Sequence, residues 1–206
     1  MISIAPTTAI ATARFGLSAN TQTFRSPLSG STRTIELPGA RWMGTLELAP
    51  RMREEEQGAE WRAFFAEMLG QSGRFYQTVP DYRGPRGTGG GSPIVTIASQ
   101  VGRSLLTSGW TANEIVLKPA DFVAWETPSG WRELHMITAS ITSDNSGLAE
   151  LTFSPPIRES PAASEALIVN DPTFVAMLTS ADEGLWSVTP GGVYVSSFSF
   201  VEAFTE

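Results

Sequence analysis

The chain has no cysteine, and among its 206 residues there is one histidine, His135, and one lysine, Lys118. Without thiols there is no disulfide scaffold, no thiolate zinc site and no cysteine nucleophile. A single imidazole excludes a two-histidine metal site. Charge is scarce too: Asp, Glu, Lys and Arg make up 17% of the residues, against roughly 25% in typical soluble domains. With 21 acidic and 14 basic residues the net charge is −7, which argues against a general nucleic-acid binder and its basic face. No stretch approaches the 18 or so apolar residues of a membrane-spanning helix. Residues Met1 to Ile10 have neither a basic start nor a long apolar core, so they do not read as a signal peptide. The expected setting is a soluble chain made in a cytoplasm.

Turn formers are plentiful, with 19 Gly and 14 Pro, and between them lie short runs of strand character. Residues 1–23 are rich in Ala, Thr and Ser and read as an extended arm or an edge strand. Phe24 to Ser31 form a turn cluster. Thr32–Leu37 reads as a strand, Pro38-Gly39 as a turn and Arg41–Leu48 as a second strand, in which Trp42, Leu46 and Leu48 share a face at period 2. One helix is expected over about 54–69. Trp61, Phe64, Phe65, Met68 and Leu69 recur at helical spacing and make a core-packing stripe. Glu54, Glu55 and Glu56 complement the positive end of its dipole, and Gly70 is placed to cap its end. Gly73–Val79 reads as a further strand. Beyond the Gly-rich stretch near residue 85 nearly everything is short strands: Ile94–Ala98, Glu114–Lys118, Asp121–Glu126, Trp131–Thr142, Leu148–Phe153, Ala166–Val169, Phe174–Thr179, Leu185–Val188 and Val193–Phe204. Pro155-Pro156 is expected to end the Leu148–Phe153 strand, and Pro190-Gly191-Gly192 to form a turn. Strands at roughly ten-residue spacing imply a sandwich or small barrels.

Residues that might carry chemistry are isolated. A phosphate-binding loop needs Gly-Lys-Ser/Thr, whereas Lys118 stands between Leu117 and Pro119. A serine triad would need His135, which lies mid-strand, and no Gly-x-Ser-x-Gly elbow exists in the chain. Asp144-Asn145-Ser146-Gly147 opens like a calcium loop, but its twelfth position is Pro155 instead of a bidentate Glu. It reads as a turn. Two convergent carboxylates of a glycosidase have no positive support, and the six Trp could serve as a sugar-stacking platform or as core. No catalytic residue, cofactor or metal is therefore expected. The loop Tyr82-Arg83-Gly84-Pro85-Arg86 combines an aromatic with two Arg, a pairing enriched at protein contacts. Tyr82, Arg83 and Arg86 are the candidate interface residues.

Several motifs together resemble a known family. They are Phe24-Arg25-Ser26-Pro27-Leu28-Ser29-Gly30, then Gly39 through Met52 around Trp42, then Trp61-Arg62-Ala63-Phe64-Phe65 through Leu69-Gly70 and Phe75. Downstream, Leu105-Leu106-Thr107-Ser108-Gly109-Trp110, Leu117-Lys118-Pro119-Ala120-Asp121-Phe122, Ser143 to Gly147 and Phe153-Ser154-Pro155-Pro156-Ile157-Arg158 continue the likeness. The chain resembles the distal tail proteins of long-tailed (siphovirus) bacteriophages. That resemblance implies a non-enzymatic virion component at the tail tip, assembled in the host cytoplasm. It also implies a homo-oligomeric ring, normally a hexamer, which joins the tail tube protein to the baseplate hub protein. DNA would pass through the lumen without specific binding, and there would be no membrane partner. The implied fold is mainly β, with a ring-forming β-sandwich bearing one packed helix (1–85 and 173–206). An inserted small β-barrel would span 94–172, after a Gly-rich linker at 86–93. Alternatives are a carbohydrate-binding β-module at the tip or another tail protein next to the tube end or hub. The net charge of −7, repeated around a ring, would make the lumen acidic and keep DNA from sticking.

Overall fold

The computed structural model describes residues 2–49, 51–52, 56–188 and 193–204. In chain order these form β1 (Ser3–Ile4), β2 (Ile10–Ser18), β3 (Thr21–Arg25), β4 (Thr32–Glu36), β5 (Arg41–Leu48), β6 (Arg51–Met52), α1 (Glu56–Met68) and β7 (Phe75–Thr78). There follow β8 (Gly91–Val95), β9 (Gly102–Trp110), β10 (Ile115–Leu117), β11 (Phe122–Glu126), β12 (Arg132–Ile137), β13 (Ile141–Thr142) and β14 (Ala149–Ile157). The last are β15 (Thr173–Leu178), β16 (Trp186–Val188) and β17 (Val193–Glu202). The protein is mainly β, with one α-helix among the described residues. No helix among them is long and apolar enough to cross a membrane. Glu54, Glu55, Pro50 and the Pro190-Gly191-Gly192 turn lie outside the described residues.

The chain divides into two units, one of Met1–Thr7, Ser72–Met177 and Ala203–Glu206, the other of Thr8–Gln71 and Leu178–Glu202. In the second unit β2 pairs with β5 and β5 with β17, all antiparallel, while β6 and β16 pair with β17. The alternation expected of β5 is present: Trp42, Leu46 and Leu48 are buried. Gly44 interrupts that face for a steric reason, because a Cβ there would lie 2.5 Å from Arg14 O and 2.7 Å from the Phe200 ring. Helix α1 covers the sheet through Trp61, Phe64, Phe65 and Met68, all buried. The Trp61 and Phe65 rings lie 5.2 and 5.1 Å from that of Phe198 on β17. Leu69, expected in the same stripe, is 78% exposed. The helix ends at Met68 and Leu69 takes a left-handed backbone, φ 49°, which turns its side chain off the helical face. The expected cap, Gly70, follows with φ 69°.

In the first unit, β11, β12, β14, β9 and β8 form one antiparallel sheet in that order. Strands β10 and β13 form a small antiparallel pair, while β7 lies parallel to β1 and antiparallel to β15. The core gathers Val95, Leu105, Val116, Leu117, Val123, Trp125, Ile137, Leu151 and Phe153, all fully or almost fully buried. The structure departs from the expected elements twice here. Strand β14 does not stop before Pro155-Pro156 but continues to Ile157. The prolines sit in a register irregularity between Thr152 and Ile157, where the ladder asks for fewer N–H donors, so they are tolerated. Strand β9 is the second, an element with no clear sequence signal because its Gly, Ser and Thr look like loop. Its buried Thr107 is satisfied, donating to Ala149 O at 2.8 Å and accepting from Trp110 Nε1 at 2.8 Å. A buried polar group with its bonds made can sit in a core.

Candidate functional site

The three expected interface residues fall on one loop of the first unit, but most of their chemistry is spent inside it. The Tyr82 hydroxyl donates to Val169 O and accepts from Phe122 N–H, both at 3.4 Å, and the Tyr82 ring meets Phe122 edge-on at 5.5 Å. Burial pushes the Tyr82 phenol up to about 12, outweighing the Phe122 N–H that pulls it down. Arg86 is held by Asp121, a fully buried carboxylate. Asp121 accepts the backbone N–H of Arg86 at 3.0 Å and of Lys118 at 2.7 Å, and Arg86 Nε at 3.3 Å. The 86–93 stretch, expected as a linker, is thus tied down. Thr88 and Gly89 N–H donate to Ile115 O and Val116 O, and Gly87 is required because a Cβ would run into the Val116 backbone. Arg83 projects furthest, its side chain 88% exposed beside Asp81 at 3.3 Å, while that of Arg86 is 59% exposed despite its bond to Asp121.

His135 is fully buried and stacks on Trp125 at 4.1 Å with the two ring planes nearly parallel. Its Nδ1 lies 2.8 Å from Pro155 O, and its Nε2 lies 3.2 Å from Glu133 Oε2. Burial pulls the imidazole below its ordinary range, against the Glu133 carboxylate that pulls it up. Burial alone would raise Glu133, but the His135 contact, the Arg158 charge and the Glu159 N–H together hold it below the usual carboxylate range. This pair is packed away from solvent, as a lone strand histidine usually is. The six Trp also divide: Trp42, Trp61, Trp110 and Trp125 are buried, Trp131 is partly buried and Trp186 is 45% exposed. The hollow beside Trp186 holds about 30 Å³, which is space for water and not for a sugar ring.

The surface that the fold leaves unfinished lies elsewhere, in the second unit. Thr32–Leu37 and Arg41–Leu48 are not a hairpin turning at Pro38-Gly39, as the turn residues suggested. Strand β4 instead pairs with β3, and β5 with β2, so that one ribbon runs through both pairs, backed by β17 along β5 and two-stranded at β3–β4. Pro38-Gly39 is a bend within one of its strands. At that neck Leu37 N–H donates to Asn20 O at 2.8 Å and Asn20 Nδ2 donates to Pro38 O at 2.6 Å. Gly39, at φ 100°, supplies the backbone turn that other residues resist. Phe24 and Arg25, expected in the turn cluster, belong to β3. The turn is confined to Ser26–Ser31, closed by Ser26 N–H to Ser31 O at 2.8 Å and Gly30 N–H to Ser26 O at 3.0 Å.

Every residue of β3 and β4 is exposed. Cross-strand register sorts them by face. Gln22 opposes Ile35 and Phe24 opposes Arg33 on one side; Thr21 opposes Glu36, Thr23 opposes Thr34 and Arg25 opposes Thr32 on the other. Phe24 and Ile35, about half exposed, therefore lie together with Arg33, and the reverse face is mostly threonine. Leu28 at the tip is 99% exposed. The base of the ribbon is open too, since β2 pairs on one side only and Ala11 to Arg14 are exposed. A two-stranded hairpin with nothing packed on it is marginal in water, and an unprotected edge strand is a template for another chain. Neither a protein-family model nor a curated protein matches this chain.

Proposed function

We propose that this chain is a structural component of a bacteriophage tail, a distal tail protein whose copies close into a ring between the tail tube and the tip hub. The observation that carries the reading is the bare ribbon: an arm with apolar residues on one face and a free β2 edge at its base. Such surface is costly for a monomer and useful to a subunit. The resemblance in the Trp42 strand, the Trp61 helix and the Phe75 strand supplies the family. Within it the chain would comprise a ring-forming β-sandwich with its packed helix and a second small β-barrel. The low charge suits a surface largely consumed by neighbours.

Light scattering of the purified protein across concentration, followed by negative-stain imaging, tests this. Rings of about six copies, alone or with tail tube protein, are expected. A strict monomer that also ignores tube protein would overturn the reading.

A further inference from the structure

The 14 basic residues are not spread evenly. Residues 1–52 hold five Arg (Arg14, Arg25, Arg33, Arg41 and Arg51) against two acids (Glu36 and Glu47), a balance of +3. The rest of the chain holds nine basic and nineteen acidic residues, a balance of −10. The ribbon itself, residues 10–48, holds Arg14, Arg25, Arg33 and Arg41 against Glu36 and Glu47, a balance of +2 on an otherwise strongly acidic protein. Arg33 pairs with no carboxylate among the described residues and shares its face with Phe24 and Ile35. An apolar pair beside an unneutralised guanidinium is the composition of an anchor at a protein interface, where aromatic residues and Arg are enriched.

We propose that the Gln22/Phe24/Arg33/Ile35 face of the arm docks on an acidic surface of a second copy of this chain. The charge split selects that occupant, because each copy carries both the basic arm and the excess of acid that complements it. Identical copies repel one another at −7 overall, whereas arm against body attracts, so contact is directed to the arm. This inference rests on the reading of the chain as a self-assembling subunit, and it names the surface and the force.

The test compares wild type with Arg33→Glu and Phe24→Ser on the docking face, and with Thr34→Glu on the threonine face. Assembly is read by light scattering over a concentration series at about 0.1 M and about 1 M salt, where screening lengths are roughly 10 and 3 Å. All three positions are exposed, and superimposable thermal melts by circular dichroism show that each variant is folded. Wild type is expected to assemble at low salt and to need at least about tenfold more protein at high salt. Arg33→Glu and Phe24→Ser should each impose a similar penalty, while Thr34→Glu should behave as wild type. Rings indifferent to salt, Arg33→Glu and Phe24→Ser would overturn this inference and leave the ring reading intact. Equal damage from Thr34→Glu would overturn the choice of face. A monomer under all conditions would overturn this inference, and one that also ignores tube protein would overturn the ring reading with it. A monomer that retains duplex DNA through Arg33 would overturn the second-copy partner in favour of nucleic acid.

Discussion

Replacing Asp121 is the sharpest test of how this fold is held. The carboxylate is fully buried and accepts two firm backbone bonds, from Lys118 N–H at 2.7 Å and Arg86 N–H at 3.0 Å. It also accepts Arg86 Nε at 3.3 Å and a long contact from Gly87 N–H at 3.4 Å. Asp121→Ala removes every acceptor at once. Each buried N–H left without a partner costs about 1–3 kcal/mol. Arg86, with its side chain 59% exposed, regains water, so its ion pair adds at most about 1 kcal/mol. The two firm bonds therefore dominate, and a loss of about 3–5 kcal/mol follows. Asp121→Asn keeps one acceptor oxygen and should lose about half as much. Urea unfolding with a tryptophan signal measures both, and hydrogen exchange of residues 84–91 reports whether the loop comes loose. A loss below about 1 kcal/mol for Asp121→Ala, with unchanged protection in the loop, would refute the assignment of Asp121 as the anchor.

Further expectations follow from the same structure. His135 and Glu133 are both held below their ordinary ranges, so the folded state resists protons that the unfolded chain accepts. Stability should be complete above about pH 6.5, the ordinary imidazole value. It should fall through the His135 step and again below the ordinary carboxylate value as Glu133 is protonated. Urea midpoints from about pH 8 to about pH 4 check this, and stability that rises on acidification would contradict it. Gly44→Ala should cost about 1–3 kcal/mol by overpacking, because the Arg14 carbonyl that the methyl group meets is backbone and cannot swing aside; thermal melts decide it. Ultraviolet titration should show one of the three tyrosines ionising late, near 12, and Tyr82→Phe should remove that late step.

Legibility in the sequence follows the range of the interaction. Strand β5 and the helix are readable because their periodicity is local: Trp42, Leu46 and Leu48 at period 2, and Trp61, Phe64, Phe65 and Met68 at helical spacing. Leu69 fits the same period but falls outside the helix, since a helix end depends on one residue's backbone angle and not on the repeat. The candidate loop is legible as a loop and not as an anchor. Tyr82 and Arg86 look free until Asp121, Phe122 and Val169 arrive from distant positions. The arm is hidden for a related reason. Pro38-Gly39 is a sound turn signal, but which strand pairs with which is settled by partners far along the chain.

By itself, then, the sequence determined the class of fold, the single helix and its buried stripe, the absence of cysteine chemistry and the uneven distribution of charge. These are properties of composition and of neighbours within a few residues. Tertiary structure alone decided that His135 is sealed against Trp125 and that the Gly-rich stretch is pinned by a buried carboxylate. It also decided that Phe24, Arg33 and Ile35 stand together on an uncovered face. Those facts depend on register and burial, which exist only once strands separated in the chain have met.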